Sequence, residues 1–276
     1  MGRMMKISAV VAAVLAIVVA VMAVMINSWC DTPHGRQDPR AALLLRYIDV
    51  TGTKMIKEGV SLQESRRITD EKGLILRAAP MPVYHVRDEA FPGPGGEVPI
   101  RIYHPGKGDN CPAIIYYHGG GFFIGNLESH DNVCRRFANH ARAVVISVDY
   151  RLAPEHQFPA AVDDAYAALE WVHKNAASLK IDPDRIAVAG DSAGGTLSAA
   201  ISYLARERKG PKIACQVLIY PASNFVDKNT KSRKDFAEGY FLTGKYMDFF
   251  LTNYAPKQEQ WQDPRLSPAL MAEVKG

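Results

Sequence analysis

Cysteine is scarce and unpatterned in this 276-residue chain. There are four, Cys30, Cys111, Cys134 and Cys215, with no CxxC pair and no Cys/His spacing of the kind that holds zinc. A zinc module is therefore not expected. Cys111 and Cys215 fall near expected strands, where a free cysteine is most often a small buried hydrophobe. Charge of one sign is lacking too. Lys and Arg number 33 against 29 Asp and Glu, a net charge of +4. No basic stripe with interleaved aromatics occurs, so a nucleic-acid partner is not expected. The densest cationic run, Lys228 to Lys234, is flanked by Asp227 and Asp235 and reads as a solvated face. There is no internal repeat and no low-complexity segment. With 47% hydrophobic and 22% charged residues, collagen, coiled coil and wholesale disorder are excluded. The length allows one large domain or two small ones.

One long apolar run is present, at the N-terminus. Ile7 to Ile26 carries no charge and a single polar side chain, Ser8. Twenty helical residues rise about 30 Å, the thickness of a bilayer core. Arg3 and Lys6 precede the run and Trp29 follows it at interface depth. Val21-Met22-Ala23 offers a small-residue cleavage site for a signal peptide, but the apolar stretch continues past it and exceeds the usual signal length. The expectation is an uncleaved single-pass anchor over residues 1–26, with a secreted chain as the outcome if cleavage occurs. Arg3 and Lys6 favour the N-terminus inside, although Arg36, Arg40 and Arg46 follow on the other side. The remaining chain is expected outside the cytoplasm.

Residues 27–40 are polar and contain Pro33, Gly35 and Pro39, which reads as a linker. Helical spacing of Leu44, Ile48, Met55 and Ile56 follows, and a second amphipathic stretch lies near Ser61 to Arg67. Residues 41–79 are thus expected as cap helices. From Pro82 the pattern changes to short β-rich runs: Val83–Val86, Val98–Tyr103, Ala113–Tyr117, Val144–Val148, Ile186–Ala189 and Ile213–Ile219. The first two are separated by a turn cluster, Phe91 to Gly96. The later ones alternate with helical segments, Glu128–Ala141, Ala160–Ala176 and Ala193–Glu207. This alternation predicts an α/β domain over residues 80–276, with a mostly parallel sheet and helices on both faces.

Two motifs carry chemistry. Gly190-Asp191-Ser192-Ala193-Gly194 is a GxSxG sequence between an expected strand and an expected helix, which is the setting of a nucleophile elbow. Glycines on either side of the serine remove Cβ atoms that would clash in so sharp a turn. The second motif, His118-Gly119-Gly120-Gly121, directly follows the strand ending at Tyr117. Acyl transfer passes through a tetrahedral oxyanion, which needs backbone N–H groups aimed at it before reaction begins. A glycine run supplies them, and the N–H of Ala193 is a further donor. His118 sits at the strand end and is assigned to shaping the loop.

These residues resemble the hormone-sensitive-lipase-like branch of the α/β-hydrolases, the family IV esterases. The matching stretches are His118 to Phe122, Asp149-Tyr-Arg-Leu-Ala-Pro-Glu-His156, Phe158 to Asp164 and Gly190 to Gly195. Glu238 to Thr243 and Asp263 to Pro268 match as well. The resemblance implies hydrolysis of short- to medium-chain carboxylic esters through an acyl-enzyme on Ser192. Gly119, Gly120, Gly121 and Ala193 would form the oxyanion hole, supported by His118, Gly190, Asp191 and Gly194. The partner is a small-molecule ester, and no metal or organic cofactor is needed. A cap would come from the N-terminal helices and from Phe225 to Tyr254. Phe122, Phe123, Tyr220, Phe225 and Tyr240 are candidates for the acyl-pocket wall.

A serine nucleophile needs a general base, which in this fold follows it in the order Ser, Asp or Glu, His. All eight histidines here, the last being His173, precede Ser192. The chain is therefore expected to be C-terminally truncated, lacking about the last two strands and helices, and nearly inactive. Ile213–Ile219 would then be an exposed strand edge. His156 lies near the expected rim of the site, but in the resembled family that position is not the base. The alternative reading is a non-catalytic binding module, as in related plant hormone receptors that use this fold with the triad histidine replaced.

Overall fold

The computed structural model describes residues 2–52, 56, 61, 63–68 and 79–271. These fall into two compact units, residues 1–57 with 231–244, and residues 58–230 with 245–276.

The first unit opens with helix α1, Gly2–Trp29. From Val10 to Trp29 the helix has a mean hydropathy of 2.9, and its strongly apolar stretch is unburied by protein. Among the described residues it is the one helix long and apolar enough to cross a membrane. The expected linker is not a featureless stretch. Asp31–Thr32 and Gly35–Arg36 pair antiparallel as a small hairpin, closed by the Arg36–Asp31 ion pair at 2.7 Å. Helix α2 then runs from Pro39 to Thr51. Asp38 caps it by accepting the Arg40 N–H at 2.8 Å, and Pro39 occupies the first turn, where no intrahelical acceptor is needed. Gly52 ends it at φ +61°, a conformation that favours glycine. Of the expected second cap helix, residues 63–68 are helical, while the rest of the stretch to residue 78 lies outside the described residues.

The second unit is built on a six-stranded sheet. Its strands are β1 His85–Gly93, β2 Gly96–His104, β3 Cys111–Tyr117, β4 Val144–Val148, β5 Ile181–Asp191 and β6 Cys215–Ile219. The spatial order is β1-β2-β4-β3-β5-β6. The pairs β1/β2 and β2/β4 are antiparallel and the other three are parallel. The turn between the first two strands is tighter than the Phe91 to Gly96 cluster suggests. The ladder continues to Gly93↔Gly96, because Phe91 is buried and stacks on Trp171 at 5.6 Å, which keeps its stretch extended. The first strand starts at His85 rather than Val83.

Period-two alternation explains how the sheet is covered on both faces. Ala113, Ile115 and Tyr117 of β3 join Val144, Ile146 and Val148 of β4 in one core. Helices α4, Ala160–Lys174, and α5, Ala193–Glu207, cover that face with Ala161, Ala165, Ala168, Leu169 and Val172, and with Leu197, Ile201 and Leu204. Ile114, Tyr116 and Val145 face the other way, against Cys134 and Ala138 of α3, Asp131–Ala141. The alanines recurring along α4 let its axis approach the strands closely. Among the described residues β6 pairs only with β5, so it forms the sheet edge, and Leu218 is partly exposed there. Cys215 on this edge is exposed and Cys111 half-buried, contrary to the expected burial, because one lies on the edge strand and the other at a strand entrance.

The segment after β4 is tied to α4 by a buried charge. Asp164, with a fully buried side chain, accepts from the Arg151 backbone N–H at 3.0 Å and from its guanidinium at 2.8 Å on each carboxylate oxygen. Removing one partner of such a pair leaves the other uncompensated. The variant Asp164→Ala is expected to lose about 3–5 kcal/mol of unfolding free energy, measured by urea denaturation. A loss below about 1 kcal/mol would show that the pair does not hold this segment.

Candidate active site

The C-terminal ends of β3 and β5 lie side by side, because Tyr117 is in register with Gly190. The chain leaves each strand through one of the two motifs. At β5 it turns into α5 through Ser192, whose backbone is at φ 51°, ψ −118°. A non-glycine residue in that region is strained and persists only where its surroundings over-determine it. Here the Ser192 N–H donates to the Ile219 carbonyl at 2.9 Å, and the Ser192 carbonyl accepts from Thr196 N–H at 3.0 Å. Thr196 Oγ1 donates in turn to the Ala222 carbonyl at 2.8 Å. A Cβ on Gly194 would overlap the Tyr117 carbonyl, and one on Gly190 would overlap the Gly194 backbone. The turn can therefore approach β3 only with glycine at both positions.

At β3 the chain enters the glycine loop. Gly120 at φ +125° and Gly121 at φ +62° have backbone conformations that side chains rarely adopt. A Cβ on Gly121 would run into the Phe250 ring, and one on Gly120 into the Ile124 carbonyl. The Gly119 N–H is occupied. It donates to Asp191 Oδ1 at 2.9 Å, so it holds the loop to the elbow and is not a spare donor for an oxyanion. Among the described residues no backbone acceptor meets the N–H groups of Gly120 and Gly121. Ala193 begins α5, where the first N–H groups have no intrahelical partner.

Asp191 is the hub of the site. Besides Gly119 it accepts from the Tyr116 hydroxyl at 2.7 Å, and His130 Nε2 lies 3.2 Å from Oδ1. Burial alone would raise its pKa, but the hydrogen bond and charge of His130, with Tyr116 and the Gly119 N–H, outweigh it and hold the carboxyl below its ordinary range. Sequence reasoning assigned no role to His130 or Tyr116. They stand 61 and 75 residues from Asp191, and no local spacing marks them. Arg66 was missed for the same reason. Its guanidinium donates to the Phe123 carbonyl at 2.8 Å and pairs with Glu155 at 2.8 Å, fastening residues 63–68 to the loops beside the site.

His118 is fully buried at the base of the glycine loop. Its ring stacks on Tyr150 at 4.3 Å, and Nδ1 lies 2.8 Å from the Gly119 carbonyl. Among the described residues Ser192 Oγ has no hydrogen-bond partner, histidine included. His156 lines a cavity of about 400 Å³ with Arg66, Asp149 and Glu155. Of the five candidate wall residues, Phe122, Phe123 and Phe225 are core. Phe122 stacks on Tyr254 at 4.0 Å, and Phe123 packs edge-on to Phe249 at 5.1 Å. Tyr220 is exposed, and Tyr240 belongs to the first unit, where it meets Phe236.

Burial, reinforced by the charge of His130, pushes His118 down to about 3 from an ordinary 6.5. The folded protein therefore holds this ring neutral while the unfolded chain protonates it. The stability it contributes is complete above about pH 6.5 and is lost as pH falls toward 3. One proton of difference corresponds to about 1.4 kcal/mol per pH unit. His104, lowered by burial and by Arg87, adds to the same slope. The share of His118 is thus read from the difference between the wild type and His118→Asn. Urea midpoints should fall on acidification in both, and less steeply in the variant, while NMR shows the His118 ring still neutral at pH 5. Parallel slopes would remove His118 from the account.

The chain resembles known proteins in both sequence and fold. Residues 114–276 match a family model for the alpha/beta hydrolase fold. The chain is similar to the carboxylic ester hydrolase LipN of Mycobacterium tuberculosis, with 44% identity over 247 residues that cover 87% of this chain and 65% of that protein. Carboxylesterase NlhH of the same organism is 49% identical over 161 residues, covering 58% of this chain and 50% of that protein. The chain thus spans 50–65% of the length of these two relatives. Among solved structures, an esterase from Pyrobaculum calidifontis superposes with a TM-score of 0.78 at 41% identity, covering 85% of this chain and 75% of that one. With the elbow at the end of β5 and the glycine loop at the end of β3, the match leaves one assignment: the chain belongs to the alpha/beta hydrolase fold family, in its hormone-sensitive-lipase-like branch.

Proposed function

We propose that this chain is the nucleophile-bearing part of a membrane-anchored serine carboxylesterase acting on short- to medium-chain esters. The observation that carries the reading is the strained Ser192 elbow joined through Asp191 to a glycine loop with two free N–H groups. In the first step Ser192 Oγ attacks the ester carbonyl carbon and its proton passes to a base. The carbonyl oxygen becomes an oxyanion facing the N–H groups of Gly120, Gly121 and Ala193. Collapse of this intermediate expels the alcohol and leaves the acyl group on Ser192, and water then releases the acid. The esterase names of LipN, NlhH and the Pyrobaculum protein support the same chemistry. Helix α1 supports a single membrane pass, and Arg3 and Lys6 ahead of it favour the rest of the chain lying outside the cytoplasm.

Among the described residues, the base is the part of the machinery not found next to Ser192. No histidine follows Ser192 in the sequence, and none of the described histidines bonds to its hydroxyl. Loss of the triad histidine costs on the order of 10⁶ in rate, while the oxyanion hole retains residual catalysis. The 276-residue polypeptide is therefore expected to hydrolyse p-nitrophenyl butyrate about 10⁶-fold more slowly than an enzyme with its triad intact. Rapid turnover that disappears in Ser192→Ala would mean that a base is already present. The nucleophile and oxyanion hole are tested separately with a phenylboronic acid. ¹¹B NMR should show a tetrahedral adduct in the wild type and none in Ser192→Ala. No adduct in the wild type would overturn the esterase reading.

A further inference from the structure

Helix α2 has more apolar surface than its own unit uses. Ala42 is buried, with Leu45 and Ile48 half-buried on the same side. Leu43, Tyr47 and Val50 lie at helical spacing on another face and are 50%, 54% and 71% exposed. Leu44 widens this stripe. Arg46 lies between the two faces along one side. A helix that is apolar on two faces ordinarily buries both.

The connection to α1 restricts what can cover the second face. Only Cys30 to Asp38 lie between the two helices, and this segment is folded back on itself. The Gln37 N–H donates to the Cys30 carbonyl at 2.8 Å, and Gln37 Nε2 donates to the Trp29 carbonyl at 3.0 Å. Arg36 reaches both Asp31 and Asn27. The start of α2 is therefore pinned to the last turn of α1. Seven residues further on, the Arg46 guanidinium still lies over the Trp29 ring, 5.8 Å from its centre. Helix α2 thus remains beside the end of α1. In the anchor reading, Trp29 stands at the level of the lipid headgroups. The same unit presents further exposed apolar side chains, Phe236, Phe241 and Leu242. Their segment is held to the hairpin by His34, which meets Phe236 edge-on at 5.2 Å and Asp235 at 3.6 Å.

We propose that α2 is an in-plane membrane helix whose Leu43–Tyr47–Val50 face is covered by lipid, at the boundary between headgroups and acyl chains. The proposal rests on α1 crossing the bilayer. It goes beyond that reading by making the membrane a surface to which the first unit docks, rather than only a medium that α1 crosses. Three arginines, Arg36, Arg40 and Arg46, are balanced in the same stretch by Asp31, Asp38 and Asp49. Docking therefore depends on apolar burial, and anionic lipid is not required.

The test uses the full chain reconstituted in phosphatidylcholine vesicles. Single bimane-labelled cysteines are placed at Val50, at Asp49 and at Val18 within α1, in a Cys111→Ser/Cys215→Ser background. All three labelled positions are exposed, so the labels leave the packing intact. Lipids carrying a nitroxide near the headgroup are expected to quench the Val50 label about two-fold and the Asp49 label much less, as for a helix lying 5–10 Å deep with one face down. Lipids with a nitroxide near the bilayer centre should quench the Val18 label. Quenching at Val18 without quenching at Val50 would overturn the docking proposal alone and leave the face to a protein partner or a second copy. No quenching at Val18 would overturn the anchor reading and the docking proposal with it.

Discussion

The carboxylate of Asp191 joins the two halves of the candidate active site. One oxygen holds the Gly119 N–H and the Tyr116 hydroxyl, while the peptide on its C-terminal side begins the Ser192 turn. A charged acceptor in a partly buried setting makes a stronger hydrogen bond than a neutral one. The glycine loop, with its left-handed residues and closely packed neighbours, has no regular secondary structure to fix it. Its position relative to Ser192 depends on this carboxylate and on the two strands that bring it there. His130 completes the arrangement by placing Nε2 3.2 Å from the same carboxylate, so that the partly buried acceptor has a further polar partner.

Strain and support are balanced around the same point. Ser192 is held in an unfavourable backbone conformation by the Ile219 carbonyl at the end of β6 and by the first turn of α5. Helix α5 is fixed by Leu197, Ile201 and Leu204 in the larger core. Below the glycine loop, Tyr150 stacks on His118 and donates its hydroxyl to the His118 carbonyl at 2.6 Å. A neutral imidazole can be packed in this way at far less cost than a charged one, which is why burial lowers its pKa so strongly.

Much of the fold was legible in the sequence. Mostly apolar runs such as Ala113 to Tyr117 and Val144 to Val148 read as strands buried on both faces, and they occupy the middle of the sheet. Helix α5 has the expected bounds, because the elbow glycines mark its start. The polar stretch after α1 was less legible. Pro33 and Gly35 signal a turn, but the pairing of Asp31 with Arg36 and the return of Gln37 to Trp29 depend on where the chain lies in space. Aromatic residues misled in one respect. Phe122, Phe123 and Phe225 looked like pocket walls, and they are core because large apolar side chains near a loop pack inward when a helix such as Gly244–Tyr254 covers them.

What the sequence by itself determined is local. The spacing of glycines around Ser192, the glycine run after β3 and the apolar length of α1 each follow from chain geometry within a few residues, so composition and order suffice. The tertiary structure alone decided that Gly119 serves the Asp191 carboxylate rather than a substrate, and that His130, Tyr116 and Arg66 belong to the site. It also left an apolar face of α2 uncovered beside Trp29. These contacts join residues dozens of positions apart, and only the packing of strands and helices brings them within hydrogen-bonding distance.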